Sequence, residues 1–169
     1  VFSLSCSKSY IRLSGFTQGT TYHIAYFSEN EINYHNQIDS ILRQFSHSLS
    51  VYDSTSIISL VNKNDSTQKV DTYFRTVFIE SQKISEATNG MFDITVAPLI
   101  NIWGFGQEQS HKPDSAEIDS ILQYVGYEKV RLKNGKVIKE NPDIILNANA
   151  IAQGYAVDVI AGFFDSNDI

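Results

Sequence analysis

The sequence predicts an α+β domain, and three observations carry that expectation. Helical and alternating apolar patterns come in blocks, without the strict strand-helix-strand alternation of a doubly wound sheet. Short alternating segments face one another across glycine turns, which is the signature of antiparallel hairpins packed with several helices. Apolar residues make up 42% of the 169 positions, with ten Phe and nine Tyr, enough to build one core. The same composition excludes a disordered or collagenous chain, and no apolar run is long enough to cross a bilayer.

The first hairpin is read from YIRLSGF and TTYHIAYF. Tyr22, Ile24 and Tyr26 share one face of the second segment, and Gly19 marks the turn. Ile38, Ile41, Leu42, Phe45 and Leu49 recur at steps of three and four, predicting an amphipathic helix over 31–50. Phe74, Val77, Phe78 and Ile84 predict a second over 71–88, with Asn89 and Gly90 as its left-handed cap. Asp114 and Glu117 form a capping-box pattern before Ile118, Ile121 and Leu122, a short third helix ended by Gly126. The period then changes to two. YEKVRL and VIKE flank Asn134-Gly135, a pair suited to a type I′ turn, and NPD leads into an apolar strand over 144–146. A last helix over 150–164 carries Ile151, Val157, Val159, Ile160 and Phe163. HKPDS and NKNDSTQK read as polar loops.

Thirteen basic against nineteen acidic side chains leave a net charge of -6. No Lys/Arg cluster is present to follow a phosphate backbone, which argues against nucleic acid as a partner. His23, His35, His47 and His111 lack the close spacings of a metal site and read as surface or core-edge histidines. WGFGQEQ lacks the third glycine of a dinucleotide fingerprint, nothing resembles a P-loop, and its local reading is a tight turn packed on Trp103. The single cysteine, Cys6, excludes a disulfide framework and a cysteine-based metal site. It follows a short apolar run and Ser5. Residues 1–8 therefore read either as the end of a lipoprotein signal peptide, with Cys6 acylated, or as a frayed terminus with a free cysteine.

Three glycine-bearing stretches remain, each beside a regular element: GFTQGTTY, TNGMFDITVAPLINIWGFG and NANAIAQGYAVD. Gly154 is the least expected, because glycine inside a helix costs about 1 kcal/mol relative to alanine. Bare backbone at such junctions lets a ligand approach, and the amides of a helix N-terminus favour anionic groups. Each also has a packing reading. Gly154 could admit a neighbouring helix, Asp93 could cap one, and Tyr52 could be a half-buried packing tyrosine.

Taken together and in order, QGTTY (18–22), LSVYDSTSIISLVN (49–62), TNGMFDITVAPLINIWGFG (88–106) and AIAQGYAVD (150–158) resemble the FAD:protein FMN transferase family. It is also called the ApbE or thiamine-biosynthesis lipoprotein family. The resemblance implies an Mg²⁺-dependent transferase that moves FMN from FAD to a Thr or Ser hydroxyl of a target flavoprotein and releases AMP. It further implies an exported protein, periplasmic or at the cell surface, held to the membrane by a lipid on Cys6. Carried over by motif, Gln18 would line the flavin site and Tyr52 would lie against the flavin. Met91, Phe92 and Asp93 would run along the dinucleotide, and Asn147 and Gln153 would hydrogen-bond FAD on either side of a helix start. The Ala150 carbonyl would be a metal ligand where that helix start is opened, and Gly154 would let the turn sit against the pyrophosphate. No catalytic residue is assigned.

Two departures bear on this. Family members often carry Met at 18, Asp at 147 and Lys or Glu at 153, whereas all three positions are neutral amides here, which keep hydrogen bonds and lose local charge. The family also continues through a second half whose Asp and Thr side chains complete the metal site. Residues 9–169 are therefore expected to be the N-terminal part of the domain, unable to transfer FMN alone, because one carbonyl is too poor a cage for Mg²⁺. The rival readings are a metal-dependent FAD hydrolase, a non-catalytic FAD-binding lipoprotein and an exported domain without a ligand.

Overall fold

The computed structural model describes residues 10–105 and 112–169. Cys6, the 1–8 tail, His111 and the end of the 88–106 motif lie outside the described residues. The element order is β1 (Tyr10–Thr17), β2 (Thr20–Phe27), α1 (His35–Leu49), α2 (Ile57–Asn62), α3 (Thr72–Ala87), α4 (Ala97–Ile102), α5 (Ser115–Leu122), β3 (Val130–Lys133), β4 (Lys136–Lys139) and α6 (Asn149–Asp165). Among the described residues, six helices and two separate antiparallel hairpins make the α+β architecture that the sequence predicts.

Both hairpins close over two residues of left-handed backbone, Gln18-Gly19 in the first and Asn134-Gly135 in the second. That geometry matches the right-handed twist of the flanking strands. Gly15 lies opposite Tyr22 in the first register. A Cβ at position 15 would stand 2.6 Å from the Tyr22 ring, so this glycine makes room for an aromatic side chain of its own hairpin. Tyr22 then reaches α1 and donates its hydroxyl to Asp39 at 2.6 Å. Burial, followed by that hydrogen bond and the Asp39 charge, pushes the Tyr22 pKa up to about 12.

Helix α1 packs against β1, α2, α3 and α6, and its buried face is the one expected: Ile38, Leu42, Phe45 and Leu49. It begins at His35 rather than near 31. The Tyr26 hydroxyl donates to the Ile32 carbonyl and accepts the Tyr34 N–H, both at 2.9 Å, while Ser28 Oγ accepts the Ile32 N–H. These bonds hold the stretch before α1 in a loop, with Glu31 left-handed at φ 54.

Helix α3 is capped by Asp71, whose carboxylate accepts from Phe74 N–H and Ser48 Oγ at 2.8 Å each. Phe74, Val77 and Phe78 are buried as expected. Ile84 is exposed, and the inward positions of the last turns belong to Ser81 and Ser85. The Asp114/Glu117 capping box forms at the start of α5. That helix ends at Leu122, before Gly126, and Tyr127–Lys129 is a 3₁₀ turn, so the strand expected from Tyr127 begins at Val130.

The strand expected over 144–146 does not form. Ile144 and Leu146 are fully buried in irregular backbone, and among the described residues no strand pairs with them. Removing such side chains from water contributes about 1.5–3 kcal/mol each, which fixes the segment through its side chains. The last helix starts at Asn149, one residue earlier than expected. Its buried residues, Ala152, Ala156 and Ile160, face the core, and Phe163 and Phe164 pack against Tyr34 and Tyr26 with centroids at 5.3 and 4.7 Å.

Candidate functional site

Two concavities adjoin on one side of the molecule and share Tyr52 and Asn149. The smaller, about 450 Å³, is lined by Gln18 and Gly19 of the first turn, by the end of α1 and by Ala152 and Gln153 of α6. The larger, about 800 Å³, runs from Tyr52 past Met91, Phe92 and Asp93 to Asn147 and Ala150. Both volumes lie in the range of ordinary small-molecule sites. The structure thus brings together on one surface eight of the nine described positions singled out for the site from the sequence, Gln18, Tyr52, Met91, Phe92, Asp93, Asn147, Ala150 and Gln153, while Gly154 lines neither concavity. Cys6 lies outside the described residues.

Gln18 is set by the type I′ turn, which places it at the tip of the β1–β2 hairpin. Tyr52 sits in a turn braced from behind. Ser56 Oγ donates to the Ser50 carbonyl at 2.6 Å, and Lys63 Nζ donates to the Ser54 carbonyl at 2.8 Å. Asp53 accepts from Thr55 Oγ1 and N–H at 2.7 and 2.8 Å, and these bonds, the hydroxyl first, hold its carboxyl below the usual carboxylate range. The Tyr52 side chain is not the half-buried packing residue that was one of its readings. It is 70% exposed, a ring on a fixed backbone.

Asp93 does not cap a helix either. Its carboxylate accepts from Thr95 N–H and Thr95 Oγ1, both at 2.7 Å, and so closes a turn ahead of α4, whose N-cap is Val96. The fully buried Thr95 hydroxyl also accepts the Gly126 N–H at 2.8 Å. Met91, beside this turn, is 91% exposed. Asn147 ties the turn to α6: its N–H donates to the Ile94 carbonyl at 2.7 Å, and its Oδ1 accepts the Asn149 N–H at 2.9 Å.

The helix start is not opened at Ala150. The Ala148 carbonyl accepts from both Ile151 and Ala152, as in a regular first turn. With Asn149 N–H taken by Asn147, the Ala150 N–H is the first-turn amide that has no hydrogen-bond partner among the described residues, and it faces the end where the helix dipole favours negative charge. Gly154 follows one turn later. Beyond its own helix backbone, no atom of the described residues lies within 4 Å of where its Cβ would be, so among them no neighbouring helix approaches it. Its missing side chain leaves the first turn bare on the face it shares with Ala150, because residues i and i+4 stack on one helix face.

Among the described residues, Asp93 is the one charged side chain that lines either concavity, and no Lys or Arg does. An anionic ligand would therefore be met by helix and side-chain amides, with a cation to balance it. No three His, Cys, Asp or Glu side chains come together to hold a metal among the described residues. Several lining residues had not been singled out, chiefly Asn62, Asn149 and the apolar Ile100, Phe105, Leu122 and Val125. Asn62 stands inside LSVYDSTSIISLVN and Asn149 beside AIAQGYAVD, so their neighbourhood was visible while their roles depended on the fold.

The ApbE family model matches residues 18–169. An FAD:protein FMN transferase of Vibrio cholerae is 32% identical over 167 residues, covering 94% of this chain and 50% of its own length. One from Haemophilus influenzae is 31% identical over 173 residues, with 93% and 50% covered. The structure of the flavin transferase ApbE from Vibrio cholerae superimposes with a TM-score of 0.87 at 31% identity, over 94% of this chain and 54% of that one. The apo flavinyl transferase ApbE of Pseudomonas stutzeri gives 0.84 at 25% identity, over 94% and 53%. The chain spans about half the length of the curated relatives it matches.

Proposed function

The chain belongs to the ApbE family, and from that premise we propose that it forms the FAD-holding part of an FAD:protein FMN transferase. The substrate is FAD, the acceptor is a Thr or Ser hydroxyl on a target flavoprotein, and AMP is released. The observation that carries this reading is the convergence of eight positions from four separate stretches on two concavities that meet at Tyr52.

In this reading the exposed Tyr52 ring offers its face to the isoalloxazine, and Gln18 hydrogen-bonds the flavin edge from the hairpin tip. The Ala150 N–H and the Gln153 amide, at the positive end of α6, receive the diphosphate. Asn147 and the Asp93 turn set the opposite wall, with Met91 and Phe92 covering apolar parts of the dinucleotide. The hydroxyl oxygen of the acceptor attacks the phosphorus of the FMN moiety, the bridging P–O bond breaks, and the electron pair leaves with AMP. The acceptor proton passes to a base outside the residues assigned above. Catalysis of this kind is mostly positioning and charge neutralisation.

Magnesium is proposed from the family resemblance as the ion that neutralises phosphate charge. The Ala150 carbonyl, in the first turn left bare by Gly154, is the donor assigned to it. The described residues bring no three acidic or histidine side chains together, so they do not supply by themselves the near-octahedral oxygen shell that Mg²⁺ requires. We propose equally that Cys6 carries a lipid that holds the protein to the membrane at the periplasmic or cell surface, a reading supported by the short apolar run and Ser5 before it.

The test is a calorimetric FAD titration with and without Mg²⁺, repeated on Tyr52→Ala. Binding that weakens by about tenfold in the variant is expected from the loss of one stacking face. An unaffected variant would remove Tyr52 from the site, and no binding under either condition would overturn the reading. Incubation with an acceptor flavoprotein separates the chemistries: flavin bound covalently to protein supports transfer, free FMN with AMP indicates hydrolysis, and intact FAD indicates binding alone.

A further inference from the structure

Leu146 lies outside any strand, yet one side chain meets both of its main-chain groups. Asn62, the last residue of α2, donates from Nδ2 to the Leu146 carbonyl at 2.9 Å and accepts the Leu146 N–H on Oδ1 at 2.8 Å. The two residues are 84 positions apart in sequence. The next residue, Asn147, binds the Ile94 carbonyl on one side and the Asn149 N–H on the other. A continuous run of amide hydrogen bonds therefore leads from α2 through 146–147 to the first turn of α6 and to the turn closed by Asp93.

We propose that Asn62 is a positioning residue of the FAD site, holding the start of α6 in register with the Asp93 turn so that the two present one surface to the dinucleotide. This rests on the functional reading above. The chemistry explains the residue type. A carboxamide carries a donor and an acceptor side by side in one plane, as a neighbouring strand would, whereas an ionised carboxylate has only acceptors and leucine has neither. Asn62 lines the larger concavity, but both polar ends of its side chain are committed to Leu146, so it acts through 147–150 rather than on the ligand. Lys139 braces the same joint, donating from Nζ to the Ile144, Pro142 and Asn62 carbonyls at 2.9, 3.0 and 3.3 Å. Burial pulls the Lys139 pKa down, and the Asp143 charge opposes it.

The experiment combines amide hydrogen exchange without ligand and FAD titration on Asn62→Leu and the milder Asn62→Asp, beside Phe78→Leu, a core change in α3. Protection at Asn149 and Ala152 is expected to fall selectively in both Asn62 variants. FAD affinity is expected to drop by about tenfold in N62D and further in N62L, as the loss of one or both bonds implies, while Phe78→Leu binds like the parent. Unchanged protection at 149–152, equal weakening by Phe78→Leu, or selective deprotection with unaltered FAD affinity would each overturn the proposal. If the parent binds no FAD, the functional reading fails. Selective deprotection would then still sustain Asn62 as the residue that orders this turn, and its absence would remove that role too.

Discussion

The two walls of the concave surface are built in opposite ways. The wall formed by 93–95, 146–149 and the end of α2 is a mesh of short hydrogen bonds through Asn62, Thr95 and Asn147, with Thr95 and Leu146 buried. The rim formed by Tyr52, Met91 and Phe105 is apolar surface on fixed backbone, left 70 to 91% exposed. The contrast teaches where each part of a ligand's free energy originates. The mesh is ordered before any ligand arrives and adds orientation at no further entropic cost, whereas the rim contributes only when something covers it.

If that division is right, a change behind the mesh must cost stability first. Ile144→Ala empties a fully buried position in the 144–146 segment and is expected to lower stability by about 3 kcal/mol, read from the denaturant midpoint. A cost below about 1 kcal/mol would mean that side-chain burial does not hold this segment. Thr95→Val keeps the shape but removes the hydroxyl that donates to Asp93 and accepts from Gly126. Chemical denaturation should show a loss of about 1–3 kcal/mol, because the Gly126 N–H is left unpaired.

Gly154→Ala separates the two walls most sharply, since its effects should have opposite signs. With open space around the new Cβ, melting should show a gain of up to about 1 kcal/mol, while FAD affinity falls because the flank of Ala150 is covered. A variant that is stabilised and binds FAD unchanged would mean that the open flank serves no ligand.

The smallest effect lies away from both walls and serves as a control. The folded pKa of Tyr22 is raised, so the stability from its bond to Asp39 is present in full below about pH 10 and is lost as pH rises toward 12. With solvent screening discounted, the advantage over Tyr22→Phe is no more than about 1 kcal/mol. Denaturation at pH 8 and pH 11.5 should show it shrinking while FAD affinity at pH 8 stays equal.

Most of the scaffold could be read from the sequence because its signals are local. The apolar periods of α1 and α3, the capping box of α5 and the Asn-Gly turn each act within a few residues of themselves. The errors share a different cause. Tyr26 sets the start of α1 through its hydroxyl, and the apolar run at 144–146 is satisfied by Asn62 rather than by a strand. Helices α2 and α4 are each a single short run of six residues, too brief for a periodic pattern. Ile84 fits the helical period yet faces outward, because the inward positions near it are taken by Ser81 and Ser85. In the site, the motifs brought the right stretches into view. Only the fold distinguishes Gly15, which accommodates Tyr22, from Gly154, which accommodates nothing among the described residues.

The joint at Asn62 also bears on self-association. Residues 144–146, Ile-Ile-Leu, are uncharged and apolar, the kind of segment that recruits a second chain when its main-chain groups are open. Here Asn62 covers both groups of Leu146, Lys139 covers the Ile144 carbonyl, and Ile144 N–H is bound to the Asn141 carbonyl. The side chains that orient the site are thereby gatekeepers of an adhesive segment, and a variant that loosens them exposes it to aggregation as well as disturbing the helix beyond it.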